Sequence, residues 1–130
     1  MVNSIHAMFG GNQVATVIGK AMPLAVAAAS YVVFTAVGDV LVEECEFFSD
    51  QAAVGLTSLT VSTDNTTSDA LLGTTTAATM SGGKNLTPHT TPFILTNGKH
   101  INMVTIGTGT GGDLKVFARW IAASAGAMLS

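Results

Sequence analysis

The stretch Tyr31–Phe48, YVVFTAVGDVLVEECEFF, limits the fold more than any other part of the chain. Tyr31–Thr35 is β-branched and aromatic, the composition a pleated surface favours, and Val40–Val42 resumes it after Gly38-Asp39. The stretch reads as two strands meeting at that Gly-Asp turn, a hairpin signal weaker than Asn-Gly. From Leu41 on, Leu41, Cys45 and Phe47 are expected on one face, with Val40, Val42, Glu44 and Glu46 on the other. Glu43 interrupts the inner face, which predicts a β-bulge or an edge there.

The rest of the chain repeats this grammar. Leu56–Ser62 reads as a strand with Leu59 and Val61 inward and Thr60 and Ser62 outward. Thr63–Ser68 reads as a polar turn whose Asp and Asn bond their own backbone. Ala70–Gly73 is a short apolar return, and Thr74–Met80 a further threonine-rich strand. Ser81–Pro92 reads as a long loop, and Phe93–Thr96 as a short strand. Asn97-Gly98, the strongest hairpin signal in the chain, leads into a returning strand, His100–Ile106. Gly107–Gly112 is a glycine turn feeding Asp113–Ala122. In that last strand Leu114, Val116, Ala118 and Trp120 share one face. A helix would instead align Leu114, Phe117 and Ile121, but the glycine turn and the neighbouring strands favour strand. Leu24–Ser30 is open between a short helix and a strand, and Ser124–Ser130 is a small-residue tail. Seven or eight short strands at about ten-residue spacing predict an all-β antiparallel sandwich, jelly-roll-like, rather than βαβ units.

Residues 24–130 are expected to form the sandwich and residues 1–23 an N-terminal arm. The first twenty residues carry one charge, Lys20, among scattered apolar residues including Ile5, Met8, Phe9, Val14 and Ile18. Two readings fit the arm: a clamp on a neighbouring subunit or surface, or a first strand (Gln13–Ile18) of its own sheet. Ala21–Val37 follows Lys20 and contains the peptidase-like AVAAAS. Pro23, the alanines and the β-rich second half suit a membrane helix poorly, so neither membrane insertion nor secretion is expected.

Only 10% of residues are charged, against about 25% in an ordinary globular domain. Such a surface suits a chain covered by copies of itself or by a partner. The net charge of −3 leaves no basic footprint for nucleic acid. Five of the eight acids lie between Asp39 and Asp50, while Lys99, Lys115 and Arg119 lie in the last third, so two edges can pair within the fold or between subunits. The single cysteine, Cys45, is expected to be a buried small hydrophobe.

No catalytic constellation emerges, and no enzyme activity, cofactor or metal is expected. Gly107–Gly112 matches G-x-G-x-x-G, but the only acid after it is Asp113, so no dinucleotide unit can be completed. His6, His89 and His100 lack metal-ligand spacing. Glu43, Glu44 and Glu46 make no glycosidase pair, although Glu44 and Glu46 form an acidic stripe. No G-x-S-x-G elbow is present.

The order of these signals resembles a known family. The strand before a Gly-x turn (Phe34–Asp39), the outgoing Val40-Leu41-Val42, the Leu-rich strand with its polar turn (Leu56–Thr67) and the final Gly-Gly-x-Leu-x-Val strand with Trp120 look like the β-sandwich cement or decoration proteins of tailed-phage heads. The resemblance spans about residues 31–125. It implies a structural virion protein on the outer surface of the capsid, partnered by the major capsid protein and by copies of itself as a homodimer or homotrimer. It implies no direct contact with nucleic acid or membrane. The residues themselves nominate Ile5, Met8, Phe9, Val14 and Ile18 of the arm as capsid or subunit contacts. The competing expectation is a host- or glycan-binding module of a fibre or adhesin, which would need an exposed aromatic platform built from Trp120 or Tyr31.

Overall fold

A computed structural model of the chain describes residues 15–65, 70–80 and 83–130. These residues form ten strands and no helix. The first sheet holds β1 (Thr16–Pro23), β9 (Asp113–Ala122) and β3 (Val40–Ser49), with β6 (Lys84–Asn85) and β7 (Phe93–Leu95) both along the far side of β3. The second is ordered β10 (Met128–Leu129), β2 (Ser30–Val37), β8 (His100–Ile106), β4 (Ser58–Thr63) and β5 (Ala70–Thr76). Every pairing is antiparallel.

Taking β6 and β7 as one edge, the sheets run 1-9-3-6/7 and 2-8-4-5, with β10 added outside β2. The chain thus changes sheet at almost every connection, and β4–β5 is the one hydrogen-bonded consecutive pair. This is the two-Greek-key wiring of a jelly roll. The core lies between the sheets, filled by side chains such as Phe34, Phe47, Leu59, Ile101, Met103 and Leu114, each at most 2% exposed.

The wiring changes the meaning of the turn signals. Gly38-Asp39 is not a hairpin: β2 and β3 lie in different sheets, and the dipeptide is the corner between them. Asn97-Gly98 is likewise the corner from β7 to β8, and Gly107–Gly112 the corner from β8 to β9. Gly38 and Gly98 have φ of 76° and 80°. Such residues specify a left-handed backbone, which a sandwich corner needs as much as a hairpin does.

The first two corners lock each other. The Gly38 amide donates to Asn97 Oδ1 (2.8 Å), and the Asn97 amide donates to Asp39 Oδ1 (2.9 Å). The Asp39 amide also donates to Ser124 Oγ (3.1 Å), tying in the chain after β9. The remainder of that tail is not loose: Leu129 is buried, and β10 pairs with Ala36 and Val37.

The bulge at Glu43 is present. The β3–β9 register shifts between Val42 and Glu44. It also corrects the expected faces: Val40 and Val42 point inward before it and Cys45, Phe47 and Ser49 after it, while Leu41 is half-exposed. One extra residue reverses the alternation, so even positions on one side join odd positions on the other.

Other differences have local causes. Leu24–Ser30 is neither helix nor strand up to Ser30, which opens β2, but the crossing from β1 to β2, pinned where the Gly109 amide donates to Val26 O (2.8 Å) and the Leu24 amide to Gly112 O (3.0 Å). Residues 70–76 form one strand, followed by a turn to Met80. Residues 84–95, expected mostly as loop, run along β3 as a broken edge, with Cys45 bridging His89 between the paired segments. Pro88 and Pro92 interrupt the pairing there, since proline cannot donate to a ladder. The expected helix alternative for Asp113–Ala122 is excluded, and Leu114, Val116 and Ala118 face the core.

The last eight residues of the expected arm are sheet. Thr16–Pro23 pairs with β9 over its whole length, from Thr16 opposite Trp120 to Pro23 opposite Asp113.

Candidate interaction surface

The two outward faces differ in chemistry. The first sheet carries the ionic residues. Arg119 on β9 sits 3.5 Å from both Glu43 and Glu44 on β3, and Lys115 Nζ is 3.4 Å from Asp50 Oδ2. The acid-rich and base-containing segments therefore meet within one sheet. Beside these pairs, Phe117 lies across β1 at Gly19, where an added Cβ would come within 2.6 Å of its ring. The aromatic ring covers the backbone that the glycine leaves bare. Phe117, Phe48, Leu86, Pro88 and Glu46 line a groove of about 480 Å³ on this side.

The second sheet is built differently. None of β2, β4, β5, β8 and β10 contains an Asp, Glu, Lys or Arg. Register and burial place Val32, Thr35, Val37, Thr60, Ser62, His100, Asn102, Val104 and Ile106 on its outward side. Four of the exposed large hydrophobic side chains belong to this sheet: Val32 (47%), Val37 (51%), Ile106 (56%) and Met128 (47%). Surfaces left to water normally intersperse both signs of charge, which keeps sheets from sticking.

Among the described residues the charged groups near this sheet sit at its rim. His100 bonds Asp64 twice, through its amide to Oδ1 and through Nδ1 to Oδ2, both at 2.6 Å. Burial pushes the Asp64 carboxyl up, but the two His100 hydrogen bonds and the charges of His100 and Lys99 outweigh it and hold it below its usual value. Asn65 donates to Ile94 O (2.8 Å). The Asp64 and Asn65 side chains fasten the β4 end to the β7–β8 corner, while the rest of the expected turn, residues 66–69, lies outside the described residues.

Of the nominated arm contacts, Ile5, Met8, Phe9 and Val14 lie outside the described residues. Ile18 stands opposite Ala118 on β1, half-buried against the core from the edge. Trp120 and Tyr31 also pack against the core from partly buried positions; the Tyr31 hydroxyl donates to Ala27 O (2.6 Å), and the Trp120 indole nitrogen is enclosed. Among the described residues no group of three or more His, Cys, Asp or Glu side chains is placed to hold a metal ion.

Cys45 is fully buried in the core, and burial, with Glu44 beside it, pushes its thiol up to about 12. Almost no thiolate exists at neutral pH, and a thiol reagent reacts with the thiolate. The folded protein is expected to give no colour with Ellman's reagent at pH 8, and one thiol per chain after denaturation. Rapid reaction before denaturation would show that the sandwich opens around β3.

No protein family, curated protein or solved structure matches the chain. Sequence reasoning registered the shortage of charge but missed where it concentrates. Each strand of the second sheet is visibly free of Asp, Glu, Lys and Arg; that they form one face depends on the corners.

Proposed function

We propose that the chain is a structural virion protein, a capsid decoration (cement) protein that binds the outer surface of a phage head and bridges neighbouring capsomers. The observation that carries this reading is the five-stranded sheet without a single Asp, Glu, Lys or Arg. A face of that kind is suited to being covered in an assembly. The sandwich offers a rigid plate whose corners are cross-braced by Asp39, Asn97 and Ser124. A contact repeated over a lattice needs only modest strength per copy, because bridged neighbours raise one another's effective concentration.

Jelly rolls also serve as lectin domains, so the fold alone does not separate this function from a glycan-binding one. The difference lies in the aromatic residues. Tyr31 and Trp120, the side chains a sugar platform would need, are engaged with the sandwich itself.

The test is co-sedimentation with heads of the encoding phage from which this protein has been removed. Saturable binding in a fixed ratio to the major capsid protein, with a higher melting temperature for the heads, is the expected result. Protein remaining in the supernatant would sink the proposal. Deleting residues 1–14 is expected to weaken binding at least tenfold. Equal binding by the shortened chain would remove the arm from the bridge while leaving decoration intact.

A further inference from the structure

We propose that the outward face of the second sheet, whose strands hold no Asp, Glu, Lys or Arg, is a self-association surface, on which a second copy of this chain packs sheet against sheet about a two-fold axis near Val104. This deepens the shell reading above by naming one partner, but it stands on its own observations.

The first is charge. A two-fold axis sets a patch against itself, so any ionic group near the axis meets its own like charge. The strands of the second sheet carry no Asp, Glu, Lys or Arg, whereas the first sets Glu43, Glu44, Glu46, Lys115 and Arg119 on or beside its outward side. The one titratable side chain on the outward side of those strands near the rim, His100, stands at the end of β8 and is paired with Asp64. The second face can therefore pair with itself without setting like charges together at the axis. Among the described residues the groups that ring it, Asp64, His100 and Lys99, are at or beside the corner, where an interface has its polar rim.

The second is area. Four long strands about 4.8 Å apart, each of about seven residues rising roughly 3.3 Å, make a plate of roughly 20 by 23 Å. Packed on its copy, this buries on the order of 1,000 Å² in total, about where specific interfaces begin.

The third is shape. β8 is the middle strand of the order β10-β2-β8-β4-β5, and Val104 lies near its centre, opposite Ser30 on one side and Thr60 on the other. The central outward residues are small or β-branched, which lets two sheets approach to the usual separation of about 10 Å. Val32 and Ile106, exposed as monomer residues, are placed to interdigitate around that centre.

The experiment measures mass in solution by sedimentation equilibrium. Wild type is expected at twice the chain mass of 13.2 kDa. Val104→Glu is expected to raise the dissociation constant at least 100-fold. An equal mixture of Val104→Glu and Val104→Lys chains is expected to recover the dimer, since opposite charges then meet at the axis. Thr60→Glu, one strand away, provides an independent reading that does not depend on how Val104→Glu folds. Phe117→Glu, on the other sheet, is expected to leave the dimer intact. A wild-type monomer up to its solubility limit, or a dimer indifferent to both Val104→Glu and Thr60→Glu, would overturn the proposal. Its failure is separable from that of the shell reading: a monomer that still decorates heads removes only the dimer, and a dimer that ignores heads removes only the shell.

Discussion

Gly109→Ala is expected to destabilise the protein by about 3–5 kcal/mol, enough to leave many domains largely unfolded at 37 °C. A Cβ at this position would run into the Leu24 carbonyl oxygen, a backbone atom with no side chain to swing aside. The neighbouring Leu56 side chain stands 3.2 Å from the same point, so the corner is hemmed in twice. To admit the methyl group, the β8–β9 corner must move away from the β1–β2 crossing. The bonds holding them together, Gly109 N–H to Val26 O and Leu24 N–H to Gly112 O, would then stretch or break. Each strands backbone groups at a site where Leu24 is fully buried, at a cost of about 1–3 kcal/mol per unsatisfied group. Gly73→Ala is the control. A Cβ there meets nothing within 4 Å, so the change is expected to be neutral or stabilising by up to about 1 kcal/mol. Urea denaturation of the three proteins checks both statements. Equal midpoints for Gly109→Ala and wild type would mean the two corners are not packed as described.

The same corners explain how much of this architecture the sequence discloses. Strand positions are legible because burial sets a two-residue alternation: His100–Ile106 and Asp113–Ala122 match the expected spans residue for residue. Pairing is not legible. Gly38-Asp39 and Asn97-Gly98 announce a reversal with a left-handed glycine, and local chemistry ends there. Whether the returning strand lies beside its predecessor or across the core depends on the contacts of Asp39 with Asn97 and Ser124, 58 and 85 residues away. The candidate surface inherits that limit. Five strands scattered between Ser30 and Leu129 contain no Asp, Glu, Lys or Arg, a pattern open to any reader, yet it becomes a face only through pairing β2 with β8 and β8 with β4. Ser81–Pro92 hides its role for another reason: with two prolines and few ladder bonds, an edge reads as a loop.

Deleting Glu46 is expected to cost far more than deleting Glu43, and the contrast tests the organising role of the bulge. The β3–β9 register passes over Glu43, with Val42 opposite Trp120 and Glu44 opposite Arg119. Removing that extra residue leaves Val40, Val42, Cys45 and Phe47 in strict alternation, all still inward and in register with β9. What is lost is a carboxylate 3.5 Å from Arg119 on a partly exposed surface, an interaction worth about 0.2–1 kcal/mol. Glu46 stands at a regular position between Cys45 and Phe47, opposite Phe117. Without it the alternation reverses after Cys45, so Phe47 turns to solvent and Phe48 is driven toward the core. Exposing Phe47 forfeits about 1.5–3 kcal/mol, and forcing Phe48 into packed space costs about 1–3 kcal/mol more. The total, about 3 kcal/mol or more, is a large part of the whole stability of a small domain. β3 cannot escape by sliding, because it is held on both sides: β9 pairs with it along almost its full length, and Val40–Val42 also pair with Leu95–Phe93. The expected outcome is a Glu43-deleted protein that melts within a few degrees of wild type, and a Glu46-deleted protein that melts at least about 10 °C lower. Two deletion proteins that melt together would show that the extra residue of β3 does not sit at Glu43.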